Sequence, residues 1–278
     1  MIDTHCHIND EAFSNNPLEY INIAKENGVN ILFVIGYDLN SSKKAVEIAK
    51  LSKDVYAFVG IHPSEIKKMN DNDLDEIESL INNEKVIGVG EIGLDYYWDK
   101  DEDVKNQQRH FFIKQIELAN KYNLPVSIHC RDAQEECLNI LKEHPVNRGG
   151  IMHCYAGSVE MLDQYRKLNF LIGVGGVVTF KNAVKLKNVV SSCLDTDFVL
   201  ETLFVDVLTG LVGVFSDLPS AGSCLFSDLM SFDLNLEYII PNIVLVIAKP
   251  PIPPNKPHNQ IRDFSSFFSV ISILKALE

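Results

Sequence analysis

The sequence predicts an α/β fold, a (β/α)8 barrel, on three observations. Eight short apolar runs alternate with longer segments of helical period, the pattern of a parallel sheet with helices between its strands. The 278 residues fit one such barrel, which takes roughly 250. Four of the runs end at or just before a histidine or glutamate, and the carboxyl ends of the strands are where this fold keeps its chemistry.

The candidate strands, in order, are 2–6, 31–36, 55–60, 86–91, 126–130, 150–154, 170–175 and 198–202. Residues 39–52 read as a charged, alanine-containing helix. Residues 105–122 carry Phe112, Ile113, Ile116 and Ala119 at amphipathic spacing, with Lys, Gln and Glu expected mostly on the opposite side. That stripe is read as packing against the barrel.

The first strand ends in His5-Cys6-His7. Side chains two apart on a strand share a face, so both imidazoles can reach one metal ion while Cys6 points away. Glu91 closes the fourth run, Val86-Ile87-Gly88-Val89-Gly90. His129 follows Val126-Ser127-Ile128 on the fifth, and His153 follows Ile151-Met152 on the sixth. Histidines scattered through a core have no reason to share that location, so His5, His7, Glu91, His129 and His153 are the candidate metal ligands of a metallohydrolase.

A net charge of −13 argues against a broad basic face for gripping duplex nucleic acid. It leaves a phosphate substrate open, because divalent ions supply positive charge locally. The six cysteines contain no Cys-x-x-Cys pair. Cys6, Cys130 and Cys154 each adjoin a candidate ligand and are read as small buried hydrophobes. Reduced thiols and an N-terminus without a signal-peptide pattern point to the cytoplasm. No membrane association and no obligate protein partner are expected; the longest apolar run near the C-terminus, Ile243 to Ala248, is too short to span a bilayer.

The pattern changes near residue 203. No Lys or Arg lies between Lys187 and Lys249, helical caps are lacking, and prolines cluster at 250, 251, 253, 254 and 257. The expected division is a barrel domain over 1–202 and an atypical tail over 203–278, the product of a frameshift or a foreign tail more than of gradual drift. Losing the helix that normally covers strands one and eight exposes apolar surface, so an unstable or non-catalytic product is the alternative reading.

Over 1–202 the chain resembles the TatD family of metal-dependent deoxyribonucleases. The resemblance is carried by Ile2-Asp3-Thr4-His5-Cys6-His7, Gly60-Ile61-His62-Pro63 and Gly88-Val89-Gly90-Glu91-Ile92-Gly93-Leu94-Asp95-Tyr96-Tyr97. It continues through Gln108, Phe112 and Gln115, Ile128-His129-Cys130-Arg131, Met152-His153-Cys154-Tyr155, and Gly173-Val174-Gly175-Gly176 leading to Thr179-Phe180-Lys181-Asn182.

The resemblance implies two divalent ions (Mg, Mn or Zn) and a DNA or other phosphodiester substrate. His5 and His7 would hold one ion, His129 and His153 the other, with Glu91 bridging and acting in catalysis. Arg131 either makes a bidentate phosphate contact in catalysis or forms a surface salt bridge. His62 lines the site without ligating, and Asp95 steadies the loop after the fourth strand or supports a ligand. Leu200-Glu201-Thr202-Leu203 departs from the family's Leu-Glu-Thr-Asp: leucine replaces an aspartate that ligates and takes a proton, which predicts impaired catalysis. Asp206 is a weak substitute, and Asp195 and Asp197 belong to the opposite end of the barrel. A hydrolase of small esters or amides is the alternative activity.

Overall fold

A computed structural model describes residues 1–202 other than 12, 14, 15 and 70. Leu203, Asp206, the proline cluster and the rest of the 203–278 tail lie outside the described residues. Eight strands line up in sequence order in one parallel sheet. They are β1 (Ile2–Cys6), β2 (Ile31–Ile35), β3 (Val55–Val59), β4 (Val86–Asp95), β5 (Val126–Arg131), β6 (Gly150–Met152), β7 (Phe170–Val174) and β8 (Phe198–Leu200). The helices between them are α1 (Pro17–Glu26), α2 (Leu39–Ala49), α3 (Asp71–Ile81), α4 (Glu102–Lys121), α5 (Gln134–Glu143), α6 (Val159–Lys167) and α7 (Val184–Ser191). This is the expected (β/α)8 barrel, nearly closed.

Side chains bridge the seam between β1 and β8. Thr4 Oγ1 donates to Leu200 O at 3.1 Å. The buried Asp3 carboxylate accepts from the Thr202 N–H at 3.0 Å and from the Thr202 hydroxyl. Burial pushes the Asp3 carboxyl up to about 7, against the lowering effect of those hydrogen bonds.

Alternation along the strands builds two apolar layers. Leu32, Val34, Ala57 and Val59 pack with helix residues such as Ile48, Ile77 and Ile116. Phe33, Ile35, Phe58 and Ile87 form a second cluster of strand residues alone, on the opposite face of β2 and β3. α2 starts on a reciprocal cap: Asp38 accepts from the Ser41 N–H at 2.6 Å while Ser41 Oγ accepts from the Asp38 N–H at 2.8 Å.

Two sequence expectations need correction. β4 does not end at Glu91 but runs on through Ile92, Gly93, Leu94 and Asp95, paired with Ile128 to Arg131. The extension needs Gly93, whose φ is +136° and where a Cβ would lie 2.0 Å from His129 O. On α4 the apolar stripe is as expected, but Gln108 and Gln115 are buried within it. Gln115 accepts from the Ile61 N–H at 2.8 Å and donates to Ile61 O at 3.0 Å. Gln108 makes the same pair of bonds with the Asp95 backbone, at 2.9 and 3.1 Å. Each primary amide satisfies a backbone N–H and C=O at a strand end, where no sheet partner is available. The two glutamines thereby fix the chain beside His62 and at Asp95.

Candidate metal centre

His5, His7, Glu91, His129 and His153 converge at the carboxyl end of the barrel around the Glu91 carboxylate. Glu91 Oε2 lies 3.5 Å from His5 Nε2 and 3.7 Å from His7 Nε2. Glu91 Oε1 lies 3.0 Å from His129 Nδ1 and 3.8 Å from His153 Nε2. His5 and His7 present their Nε2 atoms 3.0 Å apart, and the His153 ring stacks on His5 at 3.5 Å. All five expected ligands are thus brought together.

In His5, His7 and His129 the other ring nitrogen is held by a hydrogen-bonding group, and in His153 it faces a carboxylate without hydrogen-bond geometry. His7 Nδ1 faces Ile35 O at 3.0 Å, so this nitrogen carries the proton and Nε2 keeps its lone pair toward the cluster. His5 Nδ1 faces Ser127 Oγ at 3.2 Å. His153 Nδ1 faces Glu201 Oε2 at 3.2 Å. His129 is turned the other way: Nδ1 faces Glu91, and Nε2 meets Asp95 Oδ2 at 3.0 Å. A buried carboxylate surrounded by oriented imidazoles is a donor set that suits a divalent cation.

Two groups of three donors, each with its atoms within 4.8 Å of one another, share Glu91: His5, Glu91 and His153, and His62, Glu91 and His129. This regroups the expectation that placed His153 with His129. His62, expected only to line the site, is a full neighbour, with Nε2 3.7 Å from Glu91 Oε1. Its Nδ1 accepts from the Ser64 N–H at 3.1 Å, so in the neutral ring Nε2 carries the hydrogen. That tautomer donates a hydrogen bond and does not ligate.

Charge follows from burial and neighbours. Burial, reinforced by His153, holds His5 well below the usual imidazole range. Burial and the adjacent His129 push His62 down to about 3. Burial works against the charged form of Glu91, but His62, His153 and His5 outweigh it and hold the carboxyl well below the usual range. Burial lowers His129, yet its bonds to Asp95 and Glu91 dominate and raise it to about 10.

Asp95 does both things considered for it. Oδ1 accepts from the Tyr97 N–H at 3.0 Å, steadying the loop, while Oδ2 orients His129. Arg131 forms no salt bridge among the described residues: its guanidinium stacks on Tyr97, with Cζ 3.8 Å from the ring centroid. Glu201 is the residue that sequence reasoning missed. Its side chain is completely buried, it accepts from the Cys154 N–H at 2.9 Å, and it faces His153. A glutamate closing a strand run was the available signal. Asp197 lies at the amino end of β8 and pairs with Arg166 at 2.6 Å, a structural role as expected. Cys6 is buried, but Cys130 and Cys154 are only half-buried, a correction to their reading as core residues. No helix among the described residues is long and apolar enough to cross a membrane.

The family model for TatD related DNase matches residues 2–204. The metal-dependent hydrolase YabD of Bacillus subtilis is 41% identical over 203 residues, covering 73% of this chain and 79% of that protein. YjjV of Escherichia coli, also described as a metal-dependent hydrolase, is 32% identical over 215 residues, with coverage of 76% and 82%. The crystal structure of the E. coli TatD homolog YJJV superposes with a TM-score of 0.68 at 30% identity, over 73% of this chain and 78% of that one. A TatD family hydrolase from Entamoeba histolytica gives 0.64 at 26% identity, over 73% of each chain. With its family signature read over 2–204 and its histidines gathered on Glu91, this chain belongs to the TatD family of metal-dependent hydrolases.

Proposed function

We propose that this chain hydrolyses phosphodiester bonds, with DNA as its substrate and two divalent cations (Mg, Mn or Zn) as cofactors. The observation that carries the reading is the convergence of four oriented imidazoles on one buried carboxylate at the barrel mouth. His5, His7 and His153 would offer Nε2, His129 would offer Nδ1, and Glu91 would bridge. When bound, such cations polarise a phosphoryl oxygen and lower the pKa of water at the site.

The remaining steps belong to the chain's own groups. Ser127, Ile35 O and Asp95 fix three of the imidazoles by hydrogen bonds and Glu201 faces the fourth as a charge partner, so little reorganisation is needed during reaction. His62 is neutral and turns an Nε2–H toward the centre, suited to donate to an anionic phosphate oxygen. Arg131, two residues past His129 and exposed at the rim, is placed to orient a flanking phosphate.

A second reading, a metal-binding barrel with slow turnover, is favoured by Leu203, which stands where the family resemblance expects a proton-accepting aspartate. One assay tests both. Labelled single-stranded DNA, a carboxyl ester and an amide are each incubated with the protein plus Mg or Mn, alongside Leu203→Asp. The expected result is weak DNA cleavage that the variant raises by about 10²–10⁴-fold, the range of general base catalysis. Ester or amide hydrolysis without DNA cleavage by either protein contradicts the proposal.

A further inference from the structure

Trp98 is the only tryptophan in the chain, and it is 64% exposed. Aromatic side chains presented at a surface offer faces on which a nucleobase can stack. Trp98 lies in the loop between β4 and α4, which is pinned at several points. Lys100 Nζ donates to Tyr96 O at 2.6 Å, Lys67 pairs with Asp99, and Asp101 caps α4 by accepting from the Asp103 N–H at 2.8 Å. A ring presented from a fixed loop loses little entropy on binding.

The loop is anchored to the metal centre. Asp95 and His129 are hydrogen-bonded, Asp95 is in register with Arg131, and the Tyr96 N–H donates to Arg131 O at 2.9 Å. Tyr97 and Arg131 therefore emerge side by side, each two residues past a residue of the centre. Arg131 Cζ lies 3.8 Å from the Tyr97 centroid and 5.6 Å from that of Trp98; the two rings stand perpendicular at 4.6 Å. The three side chains form one unit in which the guanidinium is balanced by aromatic faces. An exposed indole beside such a cation, in a chain of net charge −13, is suited to a ligand combining a flat ring with a phosphate.

We propose that Trp98, Tyr97 and Arg131 form a stacking subsite for one unpaired nucleobase next to the phosphodiester held at the metal centre. The subsite rests on the phosphodiesterase reading above. Trp98 supplies the stacking face, Tyr97 buttresses it edge-on, and Arg131 meets the adjoining phosphate.

The test uses the full chain with Mg and two short strands of equal charge, both phosphorothioate-linked to suppress turnover: an adenine oligonucleotide and an abasic deoxyribose-phosphate strand. Binding is read from the emission of Trp98 and from the anisotropy of a label on each strand. The expected result is quenching by the adenine strand alone, which binds about tenfold tighter than the abasic one. Trp98→Ala brings the two affinities within about twofold of each other without weakening the abasic strand, and Trp98→Tyr retains most of the preference. Equal affinities in the unmodified protein, or adenine binding without quenching, overturn the subsite and leave the phosphodiesterase reading standing. Failure to bind either strand overturns both.

Discussion

Gly173 on β7 makes room for the carboxylate of Glu201, the residue after β8: a Cβ at position 173 would fall 2.0 Å from Glu201 Oε1. That carboxylate cannot simply swing away, because it also accepts from the Cys154 N–H and faces His153 Nδ1. A glycine on one strand thus decides how an imidazole from another is held.

Gly173→Ala is therefore expected to destabilise the barrel by about 1–3 kcal/mol, the usual cost of overpacking, and to weaken divalent-metal binding as Glu201 shifts. Thermal denaturation with and without Mn, together with calorimetric titration, checks this. An unchanged midpoint and unchanged affinity would show that the carboxylate has somewhere else to go.

Glu201→Gln keeps the volume and removes the charge. Burial disfavours a charged His153, but Glu201 and then Glu91 outweigh it and raise the imidazole above its usual value. Losing that anionic partner leaves Nε2 a poorer donor toward a cation, and metal affinity should fall by about 10- to 100-fold. An affinity within about twofold of the original would remove Glu201 from the account.

Metal binding should tighten as pH rises. In the metal-free protein His129 is raised to about 10, and its Nδ1, the atom facing the cluster, must lose a proton to ligate. The sign is the same for stability. A raised histidine stabilises the metal-free fold fully below about 6.5, and that contribution is lost as pH climbs through about 10. Between these values affinity should rise by up to about tenfold per unit, with one proton released per ion at His129. Titrations in buffers of different ionisation enthalpy measure the release; a flat profile with none would contradict the assignment of His129.

Gln115→Ala should strand the Ile61 N–H and C=O beside His62. Each buried group left without a partner costs about 1–3 kcal/mol. Chemical denaturation gives the loss directly. A variant as stable as the parent would mean that water reaches Ile61 and that the amide clamp is dispensable.

Much of the centre could be read from the sequence because its ligands lie at strand ends, which alternation and fold class together identify. His5, His7, His129 and His153 follow from that logic alone. Glu91 was found for a reason that proved incomplete, since β4 continues past it around Gly93, and a glycine with positive φ looks in sequence like the end of a run. The orienting partners were harder. Ser127, Asp95 and Glu201 matter through which strands are neighbours and which faces turn inward, and the pairing of Glu201 with His153 joins the residue after β8 to the residue after β6. The tautomer of His62 depends on a single N–H from Ser64, a turn detail that residue spacing does not encode. The burial of Gln108 and Gln115 is hard to read because polarity places Lys, Gln and Glu mostly on the far side of α4, although a spacing of seven keeps these two on one helical face.

Whether Glu91 and the imidazoles around it hold a cation is decided by Mn binding, followed by thermal shift and by metal content after gel filtration, comparing the full chain with Glu91→Gln and His5→Ala. The unmodified chain should retain Mn and melt at a higher temperature with it, and both substitutions should abolish the retention and the shift. Equal retention by Glu91→Gln would contradict the assignment of that carboxylate, which both three-donor groups share.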